Sequence, residues 1–253
     1  MTRIVLTLIV AVLGGSLAHA ADPLPRILLY TRNGPTLEGK KGYVHDNIPN
    51  SIVAIKQLGR EHGFAVEVSD NPKVFSDANL QAYRALVFSN TNNEILDTEE
   101  QRGALQRYLR RGGGVAAIHS ACGSMRNWPW FWAMLGGSFV RHPKLQEFTL
   151  LTVDRKHPST AHLPATWRWT DEFYFLRDPP KDLQVLLEGD LTTLDDPKKP
   201  ANEQTRPLAW YHHFEGGRCW YTTLGHRKES YADPIFVKHI LGGILWAMDG
   251  AKK

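Results

Sequence analysis

The segment TEEQRGALQRYLRRGGGVAAIHS, residues 98–120, combines a helix, a strand and the polar turn that follows them. Thr98 and Gln101 match a capping box, in which a hydroxyl and an amide side chain satisfy free N–H groups at a helix start. Acidic residues occupy the first turn and arginines the last, which suits the helix dipole. Gly112 ends the helix, and the apolar run Gly114–Ile118 predicts a buried strand.

The same alternation precedes this unit along the chain. Short apolar runs predict strands over Arg26–Tyr30, Phe64–Val68 and Ala85–Phe88. Helical patterns separate them, one starting near Ile52 and a shorter one near Asp77. Four strands alternating with helices in about 95 residues predict a parallel sheet with right-handed crossovers.

The C-terminal half has a less regular pattern. It predicts four further strands, over Phe148–Val153, Gln184–Glu188, Leu208–His212 and Arg218–Thr223. It also predicts an exposed loop over residues 190–206 and a closing helix over Pro234–Met248. We find no repeat and no domain boundary. Residues 21–253 are therefore predicted to form one α/β domain, a doubly wound, mostly parallel sheet flanked by helices.

The first twenty residues are typical of a secretory signal peptide. Arg3 is followed by the apolar run Ile4–Leu13, and the small residues Ala18 and Ala20 suit a signal peptidase. The alternative is a retained anchor, but an apolar run of about ten residues is short for a membrane span. We therefore expect cleavage after Ala20 and an exported product, periplasmic or secreted.

The composition excludes several classes. With 253 residues, 42% hydrophobic and 22% charged, the chain is neither disordered nor a disulfide scaffold. Its two cysteines, Cys122 and Cys219, are too few for a cysteine-rich zinc module; after export they could pair, but the sequence leaves their separation open. A net charge of +4 without a run of like charges gives no reason to expect nucleic-acid binding, and no later segment predicts a membrane span.

Polar side chains follow the predicted strands, at the end of the sheet where α/β proteins bind ligands. If the strands run the same way, these side chains converge on one pocket: Asn33, His45, Asn90, Asn92, His119 and His226. Each of them taken singly could be structural. Because six such side chains occur at the strand ends, we predict that they form a pocket.

Aromatic residues and adjacent acids add to this pattern. Trp130, Tyr174 and Trp210 could stack on a sugar ring, although core packing is the alternative for each. Asp171 and Glu172 are neighbours, so on a strand they point to opposite sides and at most one faces the site. That one could act with a histidine as a general acid or base.

A divalent metal is a further possibility. His119, His142 and His226, with Glu172 or Asp171, would give a histidine-rich site with a carboxylate ligand. No compact ligand motif such as HExxH supports this, so the cofactor stays open.

Six separated motifs resemble a known family; they are HDNIP (45–49), GGGVAAIH (112–119), RHP (141–143), HP (157–158), WTDEFY (169–174) and LGH (224–226). They resemble the ThuA-like, or trehalose-utilisation, family over about residues 26–249. The resemblance implies a class I glutamine amidotransferase-like fold, of flavodoxin-like type. It also implies a role in the metabolism of trehalose, related disaccharides or their oxidised 3-keto forms.

One residue departs from the amidotransferases themselves. They carry a cysteine nucleophile at the sharp turn after a central strand, where this chain has His119. An imidazole cannot replace the thiolate that forms the acyl-enzyme, and Cys122 lies three residues further on. We therefore do not expect glutaminase activity.

The favoured hypothesis is an exported enzyme that acts on a small carbohydrate. A 3-keto group makes the neighbouring C–H acidic, so elimination, hydration or isomerisation becomes accessible to a base. His119 would be the acid or base, Glu172 or Asp171 its partner, and His226 and His45 contacts to substrate or metal. The alternatives are a non-catalytic carbohydrate-binding protein and an amidohydrolase or peptidase on the same scaffold.

Overall fold

A nine-stranded sheet runs through the protein, and a separate two-stranded sheet lies beside it. The computed structural model describes residues 23–177, 179–180 and 182–249, so the predicted signal peptide, residues 1–20, lies outside the described residues. The strands are β1 (Arg26–Tyr30), β2 (Ala65–Ser69), β3 (Ala85–Ser89), β4 (Gly114–Ile118), β5 (Ser138–Arg141), β6 (Gln146–Thr152), β7 (Thr166–Asp171), β8 (Phe175–Arg177), β9 (Gln184–Asp190), β10 (Thr205–Phe214) and β11 (Gly217–Thr222). The α-helices are α1 (Ile48–His62), α2 (Asp77–Leu80), α3 (Glu99–Arg110), α4 (Pro129–Leu135) and α5 (Pro234–Met248).

The large sheet has a parallel half and an antiparallel half. Strands β2-β1-β3-β4-β11 are parallel, in the order of flavodoxin-like sheets, and β10, β9, β6 and β7 extend them as antiparallel strands. The predicted α/β class is confirmed. The antiparallel half has one strand more than predicted, because β7 was missed; β5 and β8, which form the separate two-stranded sheet, were also missed.

Helices cover both faces of the parallel strands. In β1, Ile27 and Leu29 face the core beneath α1 and α5, whereas Leu28 and Tyr30 face the core beneath α3 and α4. Burial on both sides explains why these strands are continuous apolar runs. The doubly wound arrangement is therefore as predicted.

The helix ends follow the predicted local chemistry. Gln101 N–H donates to Thr98 Oγ1, and Thr98 N–H donates to Gln101 Oε1, which completes the capping box of α3. Helix α5 has the predicted bounds, and Asp233 caps its start by accepting from two backbone N–H groups. No helix in the described part of the chain is both long enough and apolar enough to cross a membrane.

One C-terminal prediction needs correction, and one question that the sequence left open is answered. The segment 190–206 is not simply an exposed loop, because Leu191 and Leu194 are buried and Asp196 accepts a hydrogen bond from Arg141. Its last two residues already belong to β10. The two cysteines are buried free thiols, so the disulfide that the sequence left open is not formed.

A second buried cluster lies beneath α5, around Ser159. The Ser159 hydroxyl contacts Nδ1 of His157 at 2.8 Å, and its carbonyl accepts from Nδ1 of His239 at 2.9 Å. Burial lowers the pKa of His157 to about 4 and that of His239 to about 3. Both imidazoles are therefore neutral in the folded protein at neutral pH.

We expect acid to destabilise the fold through these histidines. Below pH of about 6.5 the unfolded chain takes up protons that the folded chain does not, so stability is lost as the pH falls toward 4. Each such histidine contributes up to about 1.4 kcal/mol per pH unit. Urea titrations between pH 6.5 and 5 give the free energy of unfolding at each pH. For His239→Gln this free energy should fall less steeply with decreasing pH than for the wild type, by about 1 kcal/mol per pH unit. An unchanged slope would contradict this assignment.

Candidate functional site

The site begins at the turn that ends β4. His119 follows the strand directly with φ of +55°, a left-handed conformation that histidine tolerates better than most residues. Asn90, after the neighbouring strand β3, has φ of +53°. These turns lie at the carboxyl ends of parallel strands, where α/β folds bind ligands.

His119 is completely buried and presents one defined nitrogen to the site. Its Nδ1–H donates to the Thr223 carbonyl at 2.8 Å. Because a carbonyl only accepts, the lone pair lies on Nε2, which the Tyr174 hydroxyl contacts at 2.9 Å. Burial, reinforced by His45, holds the pKa of His119 well below its usual value. The ring is a neutral donor of one electron pair.

Four side chains meet around this nitrogen. One ligand-type atom from each of His45, His119, Glu172 and His226 lies within 4.8 Å of the others. Nδ1 of His226 is 3.3 Å from Nε2 of His119 and 3.3 Å from Oε2 of Glu172. The same carboxylate oxygen is 3.6 Å from His119 Nε2. Three of the six residues predicted to converge belong to this cluster, with Glu172 as the fourth member.

Asp171 holds two members of the cluster in place. Its carboxylate accepts from the backbone N–H groups of Glu172, Gly225 and His226 and from the Trp169 indole, at 2.8–3.1 Å. Gly225 has φ of +115°, which L-residues rarely adopt, and this turns its N–H toward the carboxylate. Burial raises the pKa of Asp171, and the four donors offset part of the rise. Asp171 is therefore a positioning residue, not the predicted catalytic acid.

Asn47 holds the same loop from the other side. Its buried side-chain amide donates to the carbonyls of Gly225 and His226, at 2.7 and 2.6 Å. The loop after β11 is thus bound through both its N–H and its C=O groups. Asn47 was not among the predicted site residues, since nothing in its local sequence shows which distant loop it contacts.

A cavity of about 330 Å³ opens beside the cluster. It is lined by Tyr43, His45, Asn92, Ser120, Gly123, Arg126, Phe139, His142, Glu172 and Tyr174. Of the predicted residues, His45, Asn92, His142, Glu172 and Tyr174 line it. Aromatic rings, an amide, a cation and a carboxylate thus face one space, as in sites for small polar ligands.

His142 lies at the cavity but outside the four-residue cluster. Its Nδ1 is 2.7 Å from the Pro143 carbonyl and 3.5 Å from Oε1 of Glu172. Its ring stacks on Tyr174 with the centroids 5.7 Å apart. Of the three histidines predicted as metal ligands, His119 and His226 therefore lie in the cluster with His45 and Glu172, whereas His142 lies outside it.

The charges in the site follow from burial. Burial raises the pKa of Glu172, while His226 and His142 oppose the rise. Burial also lowers the pKa of His45 to about 4. At neutral pH the buried imidazoles of His45 and His119 are uncharged, which leaves lone pairs available to a metal ion or a substrate.

Four predicted contact residues do not reach the cavity. Trp130 lies at the surface, where it stacks on Trp128 and donates to Glu215. Trp210 is buried, with its indole N–H bonded to the Leu135 carbonyl. Trp210 packs in the core and Trp130 at the surface, so the prediction that these two rings contact a sugar was wrong.

The two asparagines have structural roles. The Asn33 side chain donates to the backbone carbonyls of Thr31 and Asn90. The buried Asn90 amide donates to Ser89 and Tyr231. Both support the turns at the strand ends instead of lining the cavity.

Cys122 is not placed as a nucleophile. It is buried, its thiol lies 3.8 Å from the His119 carbonyl, and burial raises the pKa of the thiol to about 12. A thiol that stays protonated at neutral pH is inert. The geometry thus agrees with the expectation that glutaminase chemistry is absent.

Comparison with known proteins identifies the family. The model of the ThuA family, described as trehalose utilisation, matches residues 36–247. The chain belongs to the ThuA family. It is thereby related to carbohydrate metabolism, as the sequence motifs predicted. No curated protein matches the chain in sequence.

Solved structures agree with this fold. A protein from Bacteroides uniformis described as ThuA-like is 22% identical, with a TM-score of 0.70 over 92% of this chain and 95% of that one. A ThuA-like protein from Parabacteroides merdae is also 22% identical, with a TM-score of 0.69 over 92% and 93% of the two chains. A β-galactosidase from Rahnella is 13% identical, with a TM-score of 0.56 over 90% of this chain and 32% of that one. At these identities the likeness shows the fold alone.

We expect Asp171→Asn to destabilise the protein. The amide would turn an N–H₂ group toward backbone N–H donors that now share a carboxylate, which leaves buried donors unpaired. The free energy of unfolding should fall by about 2–4 kcal/mol in urea titrations. Asp70→Asn, at an exposed acid after β2, is the matched control and should change it by less than about 0.5 kcal/mol. Equal effects in the two variants would show that the Asp171 contacts are unimportant.

Proposed function

We propose that this ThuA-family protein is an enzyme that acts on a carbonyl-bearing sugar, such as a 3-keto glycoside, by acid–base chemistry. The observation that supports it best is the position of Glu172, whose two carboxylate oxygens face different partners. Oε2 faces the histidine cluster, and Oε1 faces His142 in the cavity. Glu172 and His142, which can transfer protons, therefore lie beside the histidine cluster.

The cavity suits a single sugar ring. Its volume of about 330 Å³ lies at the small end of ligand pockets. Tyr43, Phe139 and Tyr174 offer ring faces for the apolar side of a sugar, while Asn92 and Arg126 offer hydrogen bonds to hydroxyl groups. A free or terminal monosaccharide unit is therefore the ligand that we propose.

His142, paired with Glu172, is the proposed base. Its Nδ1–H donates to the Pro143 carbonyl, which leaves the lone pair on Nε2 of a residue that lines the cavity. The base takes the proton from the carbon next to the carbonyl, and the C–H electron pair moves into an enolate whose charge lies on the carbonyl oxygen. Where that carbon carries a hydroxyl, the enolate is an enediolate. The hydroxyl proton passes to the enolate oxygen, the protonated base delivers its proton to the former carbonyl carbon, and the carbonyl thereby moves to the neighbouring carbon.

The same enolate also permits elimination. Its electron pair forms a C=C bond, the glycosidic C–O bond breaks, and the departing oxygen keeps the electron pair of that C–O bond and takes a proton from a general acid. The enzyme is accordingly an isomerase or a lyase, or a hydrolase where water then adds.

His119 has a different role in this proposal from the one expected from the sequence. A buried imidazole with a pKa well below its usual value is a poor proton acceptor, and its Nδ1–H is committed to Thr223. Its Nε2 carries a lone pair and accepts from the Tyr174 hydroxyl, so it cannot donate to an oxyanion. With His45 and His226 beside it, this nitrogen is placed to hold a cation, which would stabilise the developing oxyanion.

We also propose that the protein is exported, on the strength of residues 1–20, which have the composition of a signal peptide. Expression of the full chain in a bacterial host should give a periplasmic or secreted product that begins at Ala21. N-terminal sequencing tests this, and an uncleaved cytoplasmic product would contradict it.

The acid–base proposal predicts hydrogen exchange at the substrate carbon. With a 3-keto glucoside in D₂O, the wild type should introduce deuterium next to the carbonyl, as seen by NMR or mass spectrometry. His142→Gln and Glu172→Gln should lower the exchange rate by about 10²–10⁴-fold, the usual effect of removing a general base. His213→Gln, at an exposed histidine of β10, is the control and should exchange at the wild-type rate.

Two outcomes would contradict the proposal. One is wild-type protein that binds sugars, shown by a raised melting temperature, yet never alters or exchanges them; this would favour the carbohydrate-binding alternative. The other is exchange that is unaffected by both substitutions.

A further inference from the structure

We infer that His45, His119, His226 and Glu172 form a binding site for one divalent transition-metal ion. The donors are three imidazole nitrogens and one carboxylate oxygen, contributed by four separate segments of the chain. The inference goes beyond the proposed function, because it holds whichever ligand occupies the cavity.

The spacing of the donor atoms matches a coordination sphere. His119 Nε2, His226 Nδ1 and Glu172 Oε2 form a triangle with sides of 3.3, 3.3 and 3.6 Å. Metal–ligand bonds of about 2.0–2.2 Å in tetrahedral geometry place ligand atoms about 3.3–3.6 Å apart. The fourth donor, from His45, lies within 4.8 Å of the other three, so a small movement of one ring completes the set.

More polar atoms surround His119 Nε2 than its single lone pair can bond. This nitrogen has one lone pair in the ring plane, yet Tyr174 Oη, His226 Nδ1 and Glu172 Oε2 all lie within 3.6 Å of it. One cation at the centre of the cluster would engage the nitrogen and carboxylate donors together. The Tyr174 hydroxyl would then be released toward Glu172 or the cavity.

Each proposed ligand is held by a second contact, as is usual in metal sites. Nδ1 of His119 donates to the Thr223 carbonyl, and Nδ1 of His45 contacts the Ser120 hydroxyl at 3.2 Å. Asp171 binds the backbone N–H groups of Glu172 and His226. The ligands are thus oriented before an ion arrives.

The donor types restrict the ion. Imidazole nitrogens suit zinc, iron, copper, nickel and cobalt, whereas magnesium and calcium prefer all-oxygen sets. The ion would lie beside the cavity, where it could polarise a carbonyl oxygen as a Lewis acid. His142, outside the cluster, stays available for proton transfer.

Metal titration tests the site. Protein stripped with chelator and dialysed against Co²⁺ should bind one ion per chain, with visible absorption bands of cobalt bound to nitrogen ligands. His226→Ala and Glu172→Gln should weaken binding by more than about 100-fold, and Asp171→Asn, which only positions ligands, by about 10–100-fold. His142→Ala and the surface control His213→Ala should bind Co²⁺ like the wild type. Melting curves of the metal-free variants establish that each is folded.

Three results would overturn the inference. They are a folded wild type that binds less than one Co²⁺ ion per chain, unchanged binding in folded His226→Ala and Glu172→Gln, and binding lost in His142→Ala but kept in His226→Ala. Different results would overturn the proposed function and the metal site. Deuterium exchange by a protein that does not bind Co²⁺ would overturn only the metal site, and stoichiometric metal without exchange or turnover would overturn only the proposed reaction.

Discussion

The site depends on the carboxylate of Asp171. Its strand, β7, is the last of the sheet and is separated from β11 by three strands. In a flat sheet the two would be about 19 Å apart, at about 4.8 Å per strand. Yet Asp171 accepts hydrogen bonds from the loop that follows β11, so this loop and the twist of the sheet together bridge that distance. The two hydrogen bonds that Asp171 accepts from Gly225 and His226 connect the two halves where the cavity forms.

That connection brings histidines from the parallel half together with a glutamate from the antiparallel half. The parallel half supplies His119, a buried neutral imidazole on a left-handed turn, and His226, a partly buried imidazole on the loop after β11. The antiparallel half supplies Glu172, one residue beyond Asp171, as the anionic member. Burial disfavours the charge of Glu172 and keeps His119 neutral. A bound cation would offset the buried negative charge and accept the lone pairs of the imidazoles, so these groups together favour a cation.

Local rules predicted the parts of the structure that depend on neighbouring residues. The apolar runs of β1 and β4, the capping box at Thr98 and the bounds of α5 all follow from such rules, and the structure has them. The convergence of His45, His119 and His226 followed from one topological rule, that parallel strands end at the same edge. Strand alternation also predicted that only one of two adjacent acids would face the site.

The remaining features depend on tertiary contacts that no local pattern contains. Which of the two acids faces the cavity is set by the contacts of Asp171 with the loop after β11. The sequence does not distinguish Trp130 and Trp210 from Tyr174 as candidate sugar contacts. Their hydrogen-bond partners show that Trp130 packs at the surface and Trp210 in the core. His142 has the right residue type for a metal ligand and the wrong position.

The central claim is that four side chains from both halves of the fold form one chemical centre. Anomalous X-ray diffraction at the zinc absorption edge, from crystals grown with Zn²⁺, tests it most directly. The account predicts a single strong peak about 2.0–2.2 Å from a donor atom of each of His45, His119, Glu172 and His226. A well-ordered cluster without a peak, or a peak bound to His142 instead, would contradict it.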